Sequence, residues 1–285
     1  MGATEVSLIS TSDANEPFRP DFVAHMERAA ALSGAELRWH SGQWVAELRH
    51  GGRRRLVVGY HFPLNDAASA LIATDKVAAS VLLTSDGVPN VPHRLLRPRP
   101  DRRAAETAAG VPLPLVIKPL SASGGRDVHR ASTRLELTDV LASLTTRYTA
   151  LAVCPWVPIG HEYRVVVLDD RLELAFEKRP ADRAAKEPGS MGSTSEWRHN
   201  LKFGATAVLL TDPDLCGALG DLAGRAMRSL GLVFGSVDIV ATDGGDLTVI
   251  EVNSGVCLER FSRQSQECHA AAERVYAAAV AACVS

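Results

Sequence analysis

The stretch GSVDIVATDGGDLTVIEVNSG, residues 235 to 255, reads as two apolar runs around Gly244-Gly245, a β-hairpin with a two-residue turn. Few features constrain a chain more, because a hairpin turn sets register and register decides which side chains share a face. With the turn centred on the glycine pair, Asp238 stands opposite Glu251. Alternation then puts Asn253 on the face of Glu251, one diagonal step from Asp238. Two carboxylates facing each other destabilise a ladder unless something positive lies between them. Two acids and an amide oxygen, with no Cys or His on that face, suit a hard cation such as Mg²⁺ better than zinc. The alternative is a register slipped by one residue, with the acids in solvent and Val237, Ile239, Ile250 and Val252 forming the core face.

The 285 residues are 46% hydrophobic, enough for one large core or two to three smaller ones. No apolar run approaches the roughly 20 residues of a membrane span, and MGATEVSLIS lacks the basic and apolar regions of a secretion signal. The expectation is a cytoplasmic protein with no membrane partner. Cys154, Cys216, Cys257, Cys268 and Cys283 contain no CxxC pair and read as reduced, mostly buried thiols. A net charge of −2 argues against nucleic acid as a partner, and the basic stretches GGRRRL and HRLLRPRPDRR read as solvated turns. Only five of the 31 basic residues are lysine: Lys76, Lys118, Lys178, Lys186 and Lys202. In an Arg-biased chain such positions point to a need for a compact ammonium, for instance one aimed at a phosphate.

Residues 1 to 73 read as a small α/β unit with a helix near 20 to 33 and strands in AELRWH, QWVAELRH and RRLVVGYHF. A helix opens at Asp75 and closes near Gly87, followed by an extended Pro-bearing strand. The strand LPLVIKPL leads into SASGGRDV, and a helix covers 134 to 145. Next come LAVCPWV and a hairpin, EYRVVVLDDRLELAFEKRP, turning at Asp169-Asp170. Residues 181 to 196 form a polar stretch longer than an ordinary connection, expected to act as a mobile lid. The helix from DPDLC ends at Gly231, and QECHAAAERVYAAAVAAC closes the chain as another. Lys118 ends an apolar strand just before Ser123-Gly124-Gly125, where backbone N–H groups could approach a phosphate.

The succession Asp75-Lys76, Lys118 with SASGGRDV, CPWV, EYR, WRHNLKFGA, then Asp238 with EVN resembles the ATP-grasp superfamily, in the branch of ribosomal-protein glutamate ligases and cyanophycin synthetase. The likeness spans roughly residues 70 to 260. It implies an α/β (α+β) ATP-grasp fold: two α+β subdomains, 74–155 and 156–285, clasping ATP behind the small N-terminal domain 1–73. It also implies roles position by position. Lys76 and Lys118 match the lysines on the nucleotide phosphates, and Ser123, Gly124 and Gly125 the loop over them. Pro155, Trp156 and Val157 match the hinge reading the adenine edge, and Glu162 the acid on the ribose. Asn200 and, catalytically, Arg198 match an R-x-N pair, while Asp238, Glu251 and Asn253 match the magnesium ligands. Two Mg²⁺ ions are implied, with Mn²⁺ as a substitute.

The implied activity is an ATP-dependent carboxylate-amine ligase acting on a small amino-acid-type substrate through an acylphosphate. A cyclase closing an amide-like bond within one molecule, and a non-catalytic ATP-binding module, are the alternatives; a homodimer is compatible with each. The branch continues after its metal strand with Pro-Gly-Leu, whereas this chain has SGVCLERF, so the acceptor wall differs. Lys178, on the face of Leu172, Leu174 and Phe176, is expected to point inward to the nucleotide. Arg164 reads either as a surface ion pair or as an active-site residue. Lys202 reads as solvated or functional, His161 as structural, Arg260 as a candidate for a substrate carboxylate, and Cys257 as a small buried hydrophobe.

Overall fold

The computed structural model describes residues 20–97, 110–122, 124–180, 199–242 and 244–285. Ser123, Arg198 and the expected lid at 181–196 lie outside the described residues. Three antiparallel sheets organise the rest. Strands β1 (Glu36–His40), β2 (Val45–His50) and β3 (Arg53–Val58) form the first. The second has the order β4-β7-β5-β6, from β4 (Arg94–Leu96), β5 (Leu115–Pro119), β6 (His129–Ala131) and β7 (Leu151–Pro155). The third runs β10-β9-β8-β11-β12, from β8 (His161–Leu168), β9 (Arg171–Arg179), β10 (Thr206–Leu209), β11 (Phe234–Ala241) and β12 (Leu247–Asn253).

Seven helices accompany them among the described residues: α1 (Pro20–Leu32), α2 (Ala67–Thr74), α3 (Lys76–Ser85), α4 (Arg134–Leu144), α5 (Pro213–Ser229), α6 (Glu259–Ser262) and α7 (Gln266–Val284). No single described helix is long and apolar enough to cross a membrane. The five-stranded sheet is buried on both faces, which is why all eight residues of β11 are buried and its pattern does not alternate. One face meets α1, α7 and the first sheet in a core containing Phe22, Met26, Phe176, Phe234 and Tyr276. The other meets α2, α3 and α5 through Leu83, Leu219, Met227, Val237 and Ile239. The four-stranded sheet and α4 enclose a separate core around Leu115, Ile117, Leu144 and Leu151.

Helices α2 and α3 meet at Asp75, bent by 104°. Asp75 ends the first helix through its own N–H and opens the second, its carboxylate accepting from Val77 and Ala78 N–H at 2.9 Å each. That shared cap sets Lys76 at the first position of α3. The sequence reading missed α2, β6, β10 and α6, all short. It also needs correction at the basic stretch from His93. Residues 94 to 96 form β4 with Leu96 fully buried, and His93 is buried, so this part is no solvated turn.

The opening hairpin differs from expectation in its turn and agrees at its acids. Thr242 N–H bonds Asp246 O and Gly245 N–H bonds Thr242 O, so the loop holds three residues rather than two. Ala241 pairs with Leu247, Val240 with Thr248 and Ile239 with Val249, one residue off the expected ladder. A bulge then absorbs the difference: Ile250 is the extra residue, and Asp238 pairs with Glu251 as expected. The slipped alternative, with acids in solvent, is excluded by Asp238 being 3% exposed.

Candidate active site

A cleft of about 1260 Å³ opens between the sheets, large enough for a nucleotide with a second ligand. Its lining includes every described residue singled out from the sequence: Lys76, Lys118, Gly124, Gly125, Pro155, Trp156, Val157, Glu162, Lys178, Asn200, Asp238, Glu251 and Asn253. Residues as far apart in the chain as Lys76 and Asn253 thus share one surface.

The charge that separates the facing acids is supplied by the chain itself. Arg164, directly opposite Asp238 on β8, donates Nε–H to Oδ1 at 2.8 Å and Nη2–H to Oδ2 at 2.7 Å. Lys178 Nζ lies 2.6 Å from Glu162 Oε1 and 2.9 Å from Asp238 Oδ1. Lys76 Nζ lies 3.3 Å from Glu251 Oε1 and donates to Ala122 O at 2.7 Å. Burial raises the pKa of Asp238, but Arg164 and Lys178 outweigh it and hold the carboxyl below its ordinary range. Burial likewise raises that of Glu251, and Lys76 with Lys118 more than offset it. Arg164 is therefore a cleft residue rather than a surface pair. Lys178 points inward as expected, 5% exposed.

Lys118 reaches the cleft from β5, and its ammonium has no hydrogen bond or ion pair among the described residues. The glycine turn follows it with positive φ at both residues, +67° and +71°. A Cβ on Gly125 would stand 3.2 Å from Asn200 Nδ2 and 3.0 Å from the Phe203 ring, so the turn packs closely on the segment carrying Asn200. Asn200 Oδ1 caps the 3₁₀ turn Leu201–Phe203 by accepting from Lys202 N–H at 2.8 Å. At the other end, Trp156 N–H donates to Pro114 O at 3.0 Å, and the Arg130 guanidinium stacks over the indole at 4.4 Å. Ile250 joins Val91, Val116, Cys154, Trp156 and Val157 in one apolar patch. The bulge is what allows Ile250 and Glu251, neighbours in sequence, to line the cleft together.

Among the described residues, the buried side-chain atoms without a hydrogen-bond partner include Asn253 Nδ2, His93 Nε2 and His199 Nδ1, all on cleft residues. Such atoms are uncommon in folded proteins and mark places where a ligand or water completes the bonding. Asn253 was singled out from sequence; His93 and His199 were not, since neither belongs to a recognisable pattern. Burial, then Lys118, pushes the His93 pKa down to about 3, so the ring is neutral. Its Nδ1 engages Val91 O at 2.8 Å. His161 pairs with Glu177 at 2.6 Å, a structural role. Cys257, expected to be buried, is exposed and lines the cleft: the turn after β12 turns it outward, and Val256 and Leu258 take the core positions on either side. The other thiols follow expectation, with Cys154, Cys268 and Cys283 buried and Cys216 partly so.

The donor set suits magnesium. Glu251 and Asn253 project from one strand, two residues apart, and present oxygen ligands beside Asp238, with no imidazole or thiolate among the three. The Asn253 amide nitrogen has no hydrogen-bond partner among the described residues, so its N–H group is left to a ligand or water in the cleft.

A family model described as RimK-like ATP-grasp domain matches residues 73–275. A probable alpha-L-glutamate ligase of Pectobacterium carotovorum subsp. carotovorum (strain PC1) is 28% identical over 202 residues, covering 70% of this chain and 60% of that protein. Another from Xanthomonas campestris pv. campestris (strain B100) is 27% identical over 197 residues, 68% and 62% of the two chains. The chain therefore spans about 60% of the length of these relatives. Among solved structures, a D-alanine–D-alanine ligase from Bacillus anthracis complexed with ATP superposes with a TM-score of 0.56 at 17% identity, covering 77% of this chain and 67% of that one. The ATP-grasp ligase PsnB complexed with minimal precursor gives 0.50 at 16%, covering 74% and 64%. At these identities the likeness is one of fold.

Proposed function

Because the chain belongs to the RimK-like ATP-grasp family, we propose that it is an ATP-dependent ligase joining a carboxylate to an amine on a small amino-acid-type substrate. The observation that carries this reading is the convergence of Lys76, Lys118, Asp238, Glu251 and Asn253 on one cleft from three separate parts of the chain.

The geometry supports the roles that the family resemblance implies. The apolar patch of Val91, Val116, Trp156 and Ile250 takes the adenine, and the Gly124-Gly125 turn covers the phosphates. Lys118, free of internal partners among the described residues, reaches the phosphates directly, while Lys76 moves between Glu251 and a phosphate oxygen. Asp238, Glu251 and Asn253 hold Mg²⁺, which when bound neutralises phosphate charge and polarises the transferring group. Arg164 fixes the Asp238 carboxylate in orientation. Glu162 is held by Lys178 and meets the ribose only through the oxygen that lysine leaves accessible. Arg198 keeps the task of stabilising the oxyanion when the amine attacks.

Phosphoryl transfer asks the protein mainly for positioning and electrostatic stabilisation, so no side-chain nucleophile is required. A substrate carboxylate attacks the γ-phosphorus, giving an acylphosphate and ADP; an amine then displaces phosphate. The three-unit division of the chain is proposed with it, supported by one sheet falling in each of 1–73, 74–155 and 156–285.

A screen for Mg²⁺-dependent ADP release over amino acids, singly and in pairs, tests this, with intact-mass analysis of the product. Release that needs two substrates and yields a condensed mass supports the ligase. Release with one substrate and loss of one water from it would mean a cyclase, and tight ATP binding without release would mean a binding module.

A further inference from the structure

Helices α1 and α7 pack against each other along a largely apolar seam, and one polar cluster interrupts it. His269 and Glu273 are four residues apart on α7 and so lie on one face a turn apart. His25, on α1 and 2% exposed, faces them: its ring centroid is 4.4 Å from that of His269. One ligand atom from each of His25, His269 and Glu273 lies within 4.8 Å of the other two. Ser262 Oγ bridges the imidazoles, 2.9 Å from His25 Nε2 and 3.0 Å from His269 Nδ1, and each ring has a second nitrogen.

We propose that His25, His269 and Glu273 form a zinc site that straps α1 to α7, separate from the magnesium-type site of the cleft. Two imidazoles and one carboxylate are a donor set for Zn²⁺, with water as the fourth ligand; Mg²⁺ favours oxygen ligands and waters instead. Tetrahedral zinc with ligands at 2.0–2.1 Å sets them about 3.3 Å apart. His269 is exposed and Glu273 half-buried, which leaves both side chains room to turn toward His25. The competing contact is Arg28 Nε to Glu273 Oε1 at 2.7 Å, with the Arg28 side chain 67% exposed. A surface pair of that kind contributes about 1 kcal/mol at most, too little to exclude a metal. Ser262 orients both rings, the part an outer hydroxyl plays around ligating histidines.

The location gives the site a consequence. Ser262 ends α6, whose Glu259, Arg260 and Phe261 line the cleft on the side of the atypical acceptor wall. Glu259 also accepts Phe22 N–H at 2.9 Å, tying the start of α1 to the same wall. Zinc at this seam fixes α1, α6 and α7 as one body behind the acceptor pocket.

The test uses the full chain under reducing conditions in a Cys257→Ser background, titrated with ZnCl₂ against a chromophoric chelator and followed by thermal unfolding. One zinc should bind with micromolar or tighter affinity, raising Tm by about 5 °C at a hundredfold excess over Kd. His269→Ala and Glu273→Gln, both at accessible positions, should each weaken binding at least about tenfold, and MgCl₂ should leave Tm unchanged without nucleotide. Zinc affinity unchanged in both variants, or weaker than about 1 mM in the parent, would overturn the proposal. Neither readout depends on ligase activity.

Discussion

Glu162, Lys178 and Asp238 form a buried chain of alternating charge that the half-buried Arg164 closes at the cleft, and its energetics are those of groups that cannot be separated cheaply. A buried ion pair adds little against an apolar isostere, yet removing one partner strands the other. Lys178→Met should therefore destabilise the protein by about 3–5 kcal/mol in urea unfolding, and adding Glu162→Leu should recover part of that loss. Equal stability of the single variant and the parent would mean that water already reaches Glu162. His93 gives a pH signature. Its ring is neutral in the folded state, with a pKa of about 3, whereas the unfolded chain takes up a proton near 6.5. Stability from this group is complete above pH 6.5 and declines as pH falls toward 3, by up to about 1.4 kcal/mol per unit. Between pH 6.5 and 5 the carboxylates contribute little, while His25 and His199, whose pKa values burial also lowers, act in the same sense, so His93→Gln should make the stability profile less steep there. Parallel profiles for the two proteins would refute the neutral buried ring.

The hairpin of β11 and β12 is the element on which the site depends, and its tightest point is Gly235. A Cβ there would lie 2.7 Å from the backbone oxygen of Asn253, an atom that cannot rotate away. Gly235→Ala should cost about 1–3 kcal/mol in unfolding free energy and weaken Mg²⁺-dependent nucleotide binding by displacing Asn253; a variant as stable as the parent would show that the strands part freely. At this scale the sequence was readable where period and punctuation agree. The long amphipathic α5 and α7, the Asp169-Asp170 turn and the cap at Asp75 needed nothing beyond local chemistry. The pairing of Asp238 with Glu251 was legible for a partly wrong reason. The three-residue turn shifts the ladder by one, and a bulge at Ile250, which local pattern does not announce, restores the pairing. The short β6, β10 and α6 are held by tertiary contacts and carry no pattern of their own. His93 and His199 were illegible because a buried orphaned nitrogen is a property of packing, not of spacing.

Over the whole molecule, the three cores differ in what they join. The first sheet and α1 share a core with α7 and one face of the five-stranded sheet, so residues from both ends of the described chain stabilise a common body. The four-stranded sheet carrying Lys118 and the glycine turn has a core of its own, linked to the rest by Lys76, by the pairing of Asn90 with Val249, and by the cleft. Closing that cleft on a nucleotide is the act that would unite the charges of the four-stranded and five-stranded sheets with Lys76 of α3. Calorimetric titration of ATP in magnesium buffer into the parent, Lys118→Ala and Glu251→Gln proteins tests this most directly. Saturable binding by the parent, weakened at least about tenfold in Lys118→Ala and made insensitive to magnesium in Glu251→Gln, is the predicted result. No heat of binding in the parent, or equal magnesium-dependent affinity in all three, would contradict it.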